Sequence, residues 1–177
     1  TLGFRGEALA SIAAIAHVEL KSKLHKSELG TKLIIEGNKI ISQENYTING
    51  GTSISIKNLF FNVHARRNFL KTDNIELKHI TDELHKVALA NENCSFSYYH
   101  NEKDILNLQV SSLKKRIVNV FGTKYNEKLV PVSEETTLIN IQGFVGKPEF
   151  SKKTKGEQFF FVNERFIKSG YLHHAVN

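Results

Sequence analysis

The chain has 177 residues, with 24 Lys and Arg against 18 Asp and Glu, a formal charge of +6 and a pI near 9.3. That length suits one large domain or two small ones with a real core, and the basic balance permits anionic partners without requiring them. A single cysteine, Cys94, excludes an intramolecular disulfide, and no apolar run approaches the ~20 residues of a membrane span, so a soluble protein in a reducing, cytoplasmic setting is expected.

The chain opens on a short glycine-bracketed loop, Gly3-Phe4-Arg5-Gly6, that runs into residues 7–16. The Ala and Leu content of that run, with apolar Leu9, Ile12, Ala13, Ile15 and Ala16, predicts a helix packed closely on one face. At a helix N-terminus the first N–H groups lack intrahelical partners and the dipole is positive, and glycines leave room for an anion to approach. Spacing alone leaves two readings open, a phosphate cradle or a plain turn into a core helix. Glu7 stands where a signal peptide would carry its apolar region.

Residues 18–23 alternate apolar and polar side chains and predict a strand, with Val18 and Leu20 on one face. Residues 31–36 and 39–43 flank Gly37-Asn38, a pair suited to a tight hairpin turn, and Asn49-Gly50-Gly51 turns the chain into a strand over residues 52–58. A meandering antiparallel sheet with one buried face is expected. Thr52 begins its last strand, and a β-favouring Thr after a glycine turn accounts for it without any ligand.

In residues 59–70, Phe60, Phe61, Phe69 and Leu70 are expected in the core. Arg66 and Arg67 have three readings: an ion pair across the domain, a hold on a nucleotide-dependent loop, or a contact with DNA phosphate. The ion pair is preferred because the flanking apolar residues imply partial burial and a buried guanidinium needs partners. Asp73 and Glu76 form a capping-box-like start to a long helix, with Leu77, Ile80, Leu84, Val87 and Ala88 as its apolar stripe. His79 and His85, six apart, lie off ligand spacing and read as surface histidines. Cys94, beside Phe96 and Tyr98, reads as a buried strand thiol, and residues 95–99 and 105–110 as a hairpin.

Ser111-Ser112 is the expected domain boundary. Residues 113–121 predict a helix with a basic face at Lys114, Lys115 and Arg116 and an apolar one at Ile117, Val120 and Phe121, stopped by Gly122. Strands are expected at 129–132, 138–145 and 158–163, and a helix begins at 169.

Several of these stretches resemble the MutL-type DNA mismatch-repair branch of the GHKL ATPase superfamily. Gly3-Phe4-Arg5-Gly6-Glu7-Ala8-Leu9 resembles its third ATP-binding motif, Gly51-Thr52-Ser53-Ile54 its fourth, and residues 59–70 its most recognisable signature, with Val63-His64 where the family usually has Thr-Pro. Proline would preset that loop's backbone, so its absence bears on the loop's rigidity. Residues 143–148 and 160–165 resemble the family's second domain.

The resemblance implies an α/β (α+β) fold. Residues 1–110 would be the distal part of a GHKL-type ATPase domain, with lid helix, mixed sheet and long helix. Residues 111–177 would begin a transducer-like α/β domain with a left-handed crossover, truncated at its C-terminus. It also implies ATP and Mg2+ as cofactors, Gly3, Phe4, Arg5 and Gly6 as phosphate and lid contacts, and Thr52 on the adenine side. The general-base Glu, the magnesium-binding Asn and the adenine-reading Asp of the family would precede Thr1, and its terminal-phosphate Lys would follow Asn177. The chain is therefore expected to be a fragment without catalytic or metal-binding residues, and inactive alone. For the parent the resemblance implies slow ATP hydrolysis, nucleotide-driven homodimerisation, a MutS-type partner, weak sequence-independent DNA binding and a bacterial, nucleoid-associated location without membrane contact. A basic DNA-binding or assembly module with a vestigial nucleotide fold is the alternative.

Overall fold

Residues 6–151 and 156–176, the side chain of Val176 excepted, are described by a computed structural model. Helices and antiparallel sheets give an α+β fold, and the chain divides into two units, Thr1–Glu76 and Leu77–Asn177.

The first unit is built on one four-stranded sheet of β1 (His17–Lys23), β2 (Gly30–Glu36), β3 (Lys39–Tyr46) and β4 (Gly51–Lys57), in the order β3-β2-β1-β4. Gly37 and Asn38 both have positive φ, 54° and 67°, the geometry that a tight two-residue hairpin needs. The expected meander is broken at β4, which returns to pair with β1 instead of following β3. Side-chain matching explains the return. Val18 and Leu20 oppose Ile35 and Leu33 on one flank and Ile56 and Ile54 on the other, whereas β3 presents Gln43 opposite Leu33. The opposite face is polar and carries ion pairs from Lys21 to Glu19 at 2.8 Å and from Lys32 to Glu44 at 3.1 Å, with both lysines over the Tyr46 ring.

The helix expected over 7–16 is shorter, α1 (Ala8–Ala13). Its end is set by tertiary partners that take the last carbonyls: Asn38 N–H donates to Ala13, the Asn62 side-chain amide to Ala14 and Phe60 N–H to Ile15. Ala13 and Ala16 are buried with Val18, which makes this junction the core of the unit. After β4, a short α2 (His64–Arg67) leads to α3 (Asp73–Ala90). There the Glu76 carboxylate reaches back to the N–H of Lys71, two residues before the expected Asp73, while Thr72 O accepts from Ile75 and Glu76 N–H.

In the second unit, α3 buries Ala88 and Leu89, while Ile80 and Val87 of the expected stripe are exposed. β5 (Phe96–His100) and β6 (Lys103–Leu108) form a hairpin turning at Asn101-Glu102, both at positive φ. They are followed by α4 (Leu113–Phe121), the ribbon β7 (Leu129–Glu135) with β8 (Asn140–Gly146), a short hairpin β9 (Phe160–Val162) with β10 (Arg165–Ile167), and α5 (Gly170–Val176). Residues 165–167 were not expected as a strand. The turn at Asn163-Glu164, again at positive φ, makes them one.

Three expectations reverse here. Arg116, assigned to a basic surface, has 0% exposure: its Nη2 donates to the carbonyls of Glu92 at 2.9 Å and Cys94 at 2.5 Å, and the guanidinium lies over the Phe96 ring. Cys94 has its carbonyl turned to that guanidinium and its thiol exposed, not buried in a strand. His85 is half-buried edge-on against Phe121, and burial pushes its imidazole below the ordinary value, only partly opposed by Asp82.

Candidate functional site

Gly3, Phe4 and Arg5 of the expected phosphate loop lie outside the described residues. Gly6 is described, with φ +67°, and a Cβ built there would meet nothing within 4 Å. The space is open while the backbone is left-handed, so a side chain here is opposed by conformation and not by collision. At the head of α1, Glu7 makes no side-chain hydrogen bond to the helix's first turn. The structure does not bring Gly6 against Thr52.

Thr52 stands at the start of β4, exposed, on the apolar face of the sheet. Its Oγ1 lies 2.8 Å from Ser22 Oγ, directly across on β1. Ser22 in turn opposes Thr31, and Thr31 opposes Asn45. A row of four small polar side chains therefore crosses one end of a face that carries Val18, Leu20, Leu33, Ile35, Ile54 and Ile56 on β1, β2 and β4, with Gln43 of β3 opposite Leu33. Alternation on single strands shows Ser22 and Thr52 separately. Nothing in the sequence pairs them, because the partnership depends on β4 returning to β1. An apolar surface ending in hydroxyls suits a flat heteroaromatic ring with one polar edge, since the body needs no partners and the edge needs a few fixed ones.

At the far end of β1, Asn58 Nδ2 and His17 Nδ1 are 3.0 Å apart, and His17 packs edge-on against Phe61 with ring centroids 4.4 Å apart. Asn58 and Phe60 both adopt positive φ, 53° and 64°, a conformation costly for a phenylalanine that the bonds from Phe60 to Ile15 and from Asn62 to Ala14 hold in place. Those two bonds fasten the chain just ahead of Val63-His64. Asn58, Leu59, Phe61, Arg67 and Leu70 line a shallow recess of about 370 Å³.

Arg66 and Arg67 are exposed, and no ion pair engages either among the described residues, which overturns the preferred reading of them as a buried salt bridge. Phe69 and Leu70, expected in the core, are exposed as well. The four residues of α2 are too few to bury a face, so their cations and the apolar pair after them both reach solvent. No three His, Cys, Asp or Glu side chains gather to hold a metal ion among the described residues. Of the residues expected to meet a nucleotide, the described ones are Gly6, at the head of α1, and Thr52, paired with Ser22. No helix among the described residues is long and apolar enough to cross a membrane.

Residues 117–177 match the family described as DNA mismatch repair protein, C-terminal domain. The chain is 63% identical over 176 residues to the DNA mismatch repair protein MutL of Flavobacterium psychrophilum, covering 99% of this chain and 29% of that protein. It is 48% identical over 176 residues to MutL of Bacteroides fragilis, covering 99% of this chain and 28% of that one. Among solved structures, the Aquifex aeolicus MutL ATPase domain complexed with ADP superposes with a TM-score of 0.80 at 27% identity, over 95% of this chain and 65% of that one. The chain thus spans under a third of the length of these curated relatives.

Proposed function

Since the chain belongs to the MutL-type DNA mismatch-repair proteins, we propose that residues 1–110 form the distal wall and lid of a GHKL-type ATPase domain and that residues 111–177 begin a second, transducer-like α/β module. The full-length protein binds ATP with magnesium and hydrolyses it slowly. Nucleotide binding drives dimerisation of its N-terminal region and couples mismatch recognition by a MutS-type partner to downstream repair. It meets DNA weakly and without sequence preference, in the cytoplasm at the nucleoid. The observation that carries this reading is the 63% identity over 176 of the 177 residues, a similarity reaching through both the lid and the second module.

Magnesium-ATP, when bound, would supply the phosphoryl group that is transferred to water. The residues of this chain bind and orient it. By the resemblance to the family's third ATP-binding motif, Gly3 to Gly6 would be the residues that hold the phosphates, and Gly6 carries no side chain that could stand in the way. Thr52, at the polar end of the sheet face, would be the residue that meets the adenine edge. The general base and the metal ligand lie outside these 177 residues, so this chain alone does not hydrolyse ATP.

Gly6→Ala in the full-length protein tests the reading. The left-handed backbone at Gly6 opposes alanine by roughly 1 kcal/mol, which a folded domain absorbs, whereas the phosphate approach is crowded. ATP-driven dimerisation followed by light scattering should weaken with little change in melting temperature. Unchanged nucleotide affinity and dimerisation would return the stretch to a plain turn before a helix.

A further inference from the structure

The last carbonyls of a helix have no partner within it, so donors that reach them from elsewhere fix where its other end points. α1 ends in such a socket. Ala13 O accepts from Asn38 N–H at 3.0 Å, Ala14 O from Asn62 Nδ2 at 2.9 Å and Ile15 O from Phe60 N–H at 2.7 Å. Each acceptor is a carbonyl, so the direction of every bond is settled. The donors come from two separate turns, the hairpin between β2 and β3 and the turn after β4, and those turns meet: a Cβ built at Gly37 would lie 3.5 Å from Phe61 Cζ and 3.7 Å from Asn62 Nδ2. The second turn is held against backbone preference, with Asn58 at φ 53° and Phe60 at φ 64°. Around the socket Ala13 and Ala16 are buried, whereas residues 7–11 are exposed in this chain. The anchored end of α1 is therefore its C-terminal one, and Gly6 stands at the other.

We propose that Asn62 is a positioning residue for the phosphate loop, holding the C-terminal end of α1 so that residues 3–6 at its other end meet the phosphates. The role rests on the reading of Gly3 to Gly6 as phosphate contacts and goes beyond it, assigning the aiming of α1 to the turn at residues 58–62, which that reading leaves unused. Two of the three donors are main-chain N–H groups that any residue but proline supplies. Asn62 alone donates from a side chain, so the demand on residue type falls there. With a rise of about 1.5 Å per residue, Gly6 stands roughly 10 Å from the socket, and a tilt of about 10° there displaces it by roughly 2 Å, enough to take an N–H out of hydrogen-bond range. Asn62 acts through α1 and need not touch the nucleotide.

The experiment uses the full-length protein, with ATP affinity measured by calorimetry, steady-state ATP turnover, and folding checked by thermal melts, for wild type, Asn62→Ala, Asn62→Asp, Gly6→Ala and Asn91→Ala. Asn91 serves as the comparison because its Nδ2 donates to Val87 O at 2.8 Å, the same kind of bond at the C-terminal end of α3. Loss of one hydrogen bond predicts that Asn62→Ala weakens ATP binding roughly threefold to tenfold and raises KM by a like factor, with kcat changed less. Asn62→Asp keeps the shape but turns an acceptor towards Ala14 O, and should weaken binding at least as far. Asn91→Ala should lower the melting temperature about as much as Asn62→Ala and leave ATP affinity unchanged. Wild-type affinity in Asn62→Ala or in Asn62→Asp, with Gly6→Ala weakened, overturns the role of Asn62 and leaves the phosphate loop standing. Wild-type affinity in all three overturns both. A loss in Asn91→Ala equal to that in Asn62→Ala also contradicts the proposal, because the effect would then be one of general stability.

Discussion

Arg116 and the pair Arg66-Arg67 exchange the places that their sequence neighbourhoods suggest. Arg116 follows two lysines and is wholly buried, held by two backbone carbonyls and an aromatic face. Arg66 and Arg67 are surrounded by Phe and Leu and stand in solvent without an ion pair among the described residues. Neighbours in sequence thus say little about a cation's burial. At Arg116 two main-chain carbonyls both accept from Nη2 and the Phe96 ring covers the guanidinium, while Nε and Nη1 are buried without a hydrogen-bond partner. Arg116 fastens residues 92–94 to α4 in the interior of the second unit, while Arg66 and Arg67 remain available to a partner.

Mutagenesis sharpens the contrast, beginning with its largest effect. Arg116→Ala leaves the Glu92 and Cys94 carbonyls without their donor and opens a cavity, and should lower stability by about 3 kcal/mol in urea unfolding. Arg116→Lys keeps the charge but loses the planar group that lies over Phe96 and reaches both carbonyls, and should cost about 2 kcal/mol. Arg66→Ala and Arg67→Ala should each stay within about 0.5 kcal/mol of wild type by the same measurement. A comparable loss at Arg67 would erase the distinction.

For DNA the order inverts. Binding by the full-length protein should be weak, indifferent to sequence and steeply reduced by salt, and neutralising Arg66 or Arg67 should reduce the slope of log affinity against log salt by about one if each meets a phosphate. Arg116, having no surface, should leave that slope unchanged in any variant that folds. Anisotropy titrations at several salt concentrations measure it.

The smallest effect is at His85. Its folded pKa is depressed by burial, so the unfolded chain takes the proton first as pH falls below the ordinary imidazole value near 6.5. The contribution of the neutral ring is therefore complete above that value, is lost as pH drops from it towards the folded pKa, and changes no further below. His85→Leu should flatten that part of the stability profile, and an unaltered slope would show that the ring titrates as an exposed one does.

The first hairpin was legible because a two-residue alternation ending in Gly37-Asn38 has few other outcomes, whereas the turn at Asn163-Glu164 and the strand after it were not. The pairing of β4 with β1 was not, since composition does not state strand order, and with it went the Ser22–Thr52 contact. Arg116 was legible after all: Leu113, Arg116, Ile117, Val120 and Phe121 repeat at the three-and-four spacing of one helix face, and only grouping by charge placed it with Lys114 and Lys115. The same spacing joins Leu77, Leu84, His85 and Ala88 on α3. In the site, Thr52 was singled out by its resemblance, whereas its contact with Ser22 needed the fold.

The central claim is that these residues hold a nucleotide but leave its hydrolysis to groups outside them. ATP hydrolysis measured side by side on the purified 177-residue chain and the full-length protein tests it most directly. Slow magnesium-dependent turnover by the full-length protein and none by the chain is the predicted result. Turnover by the chain alone that persists through repurification and disappears on mutation of its own residues would contradict the account.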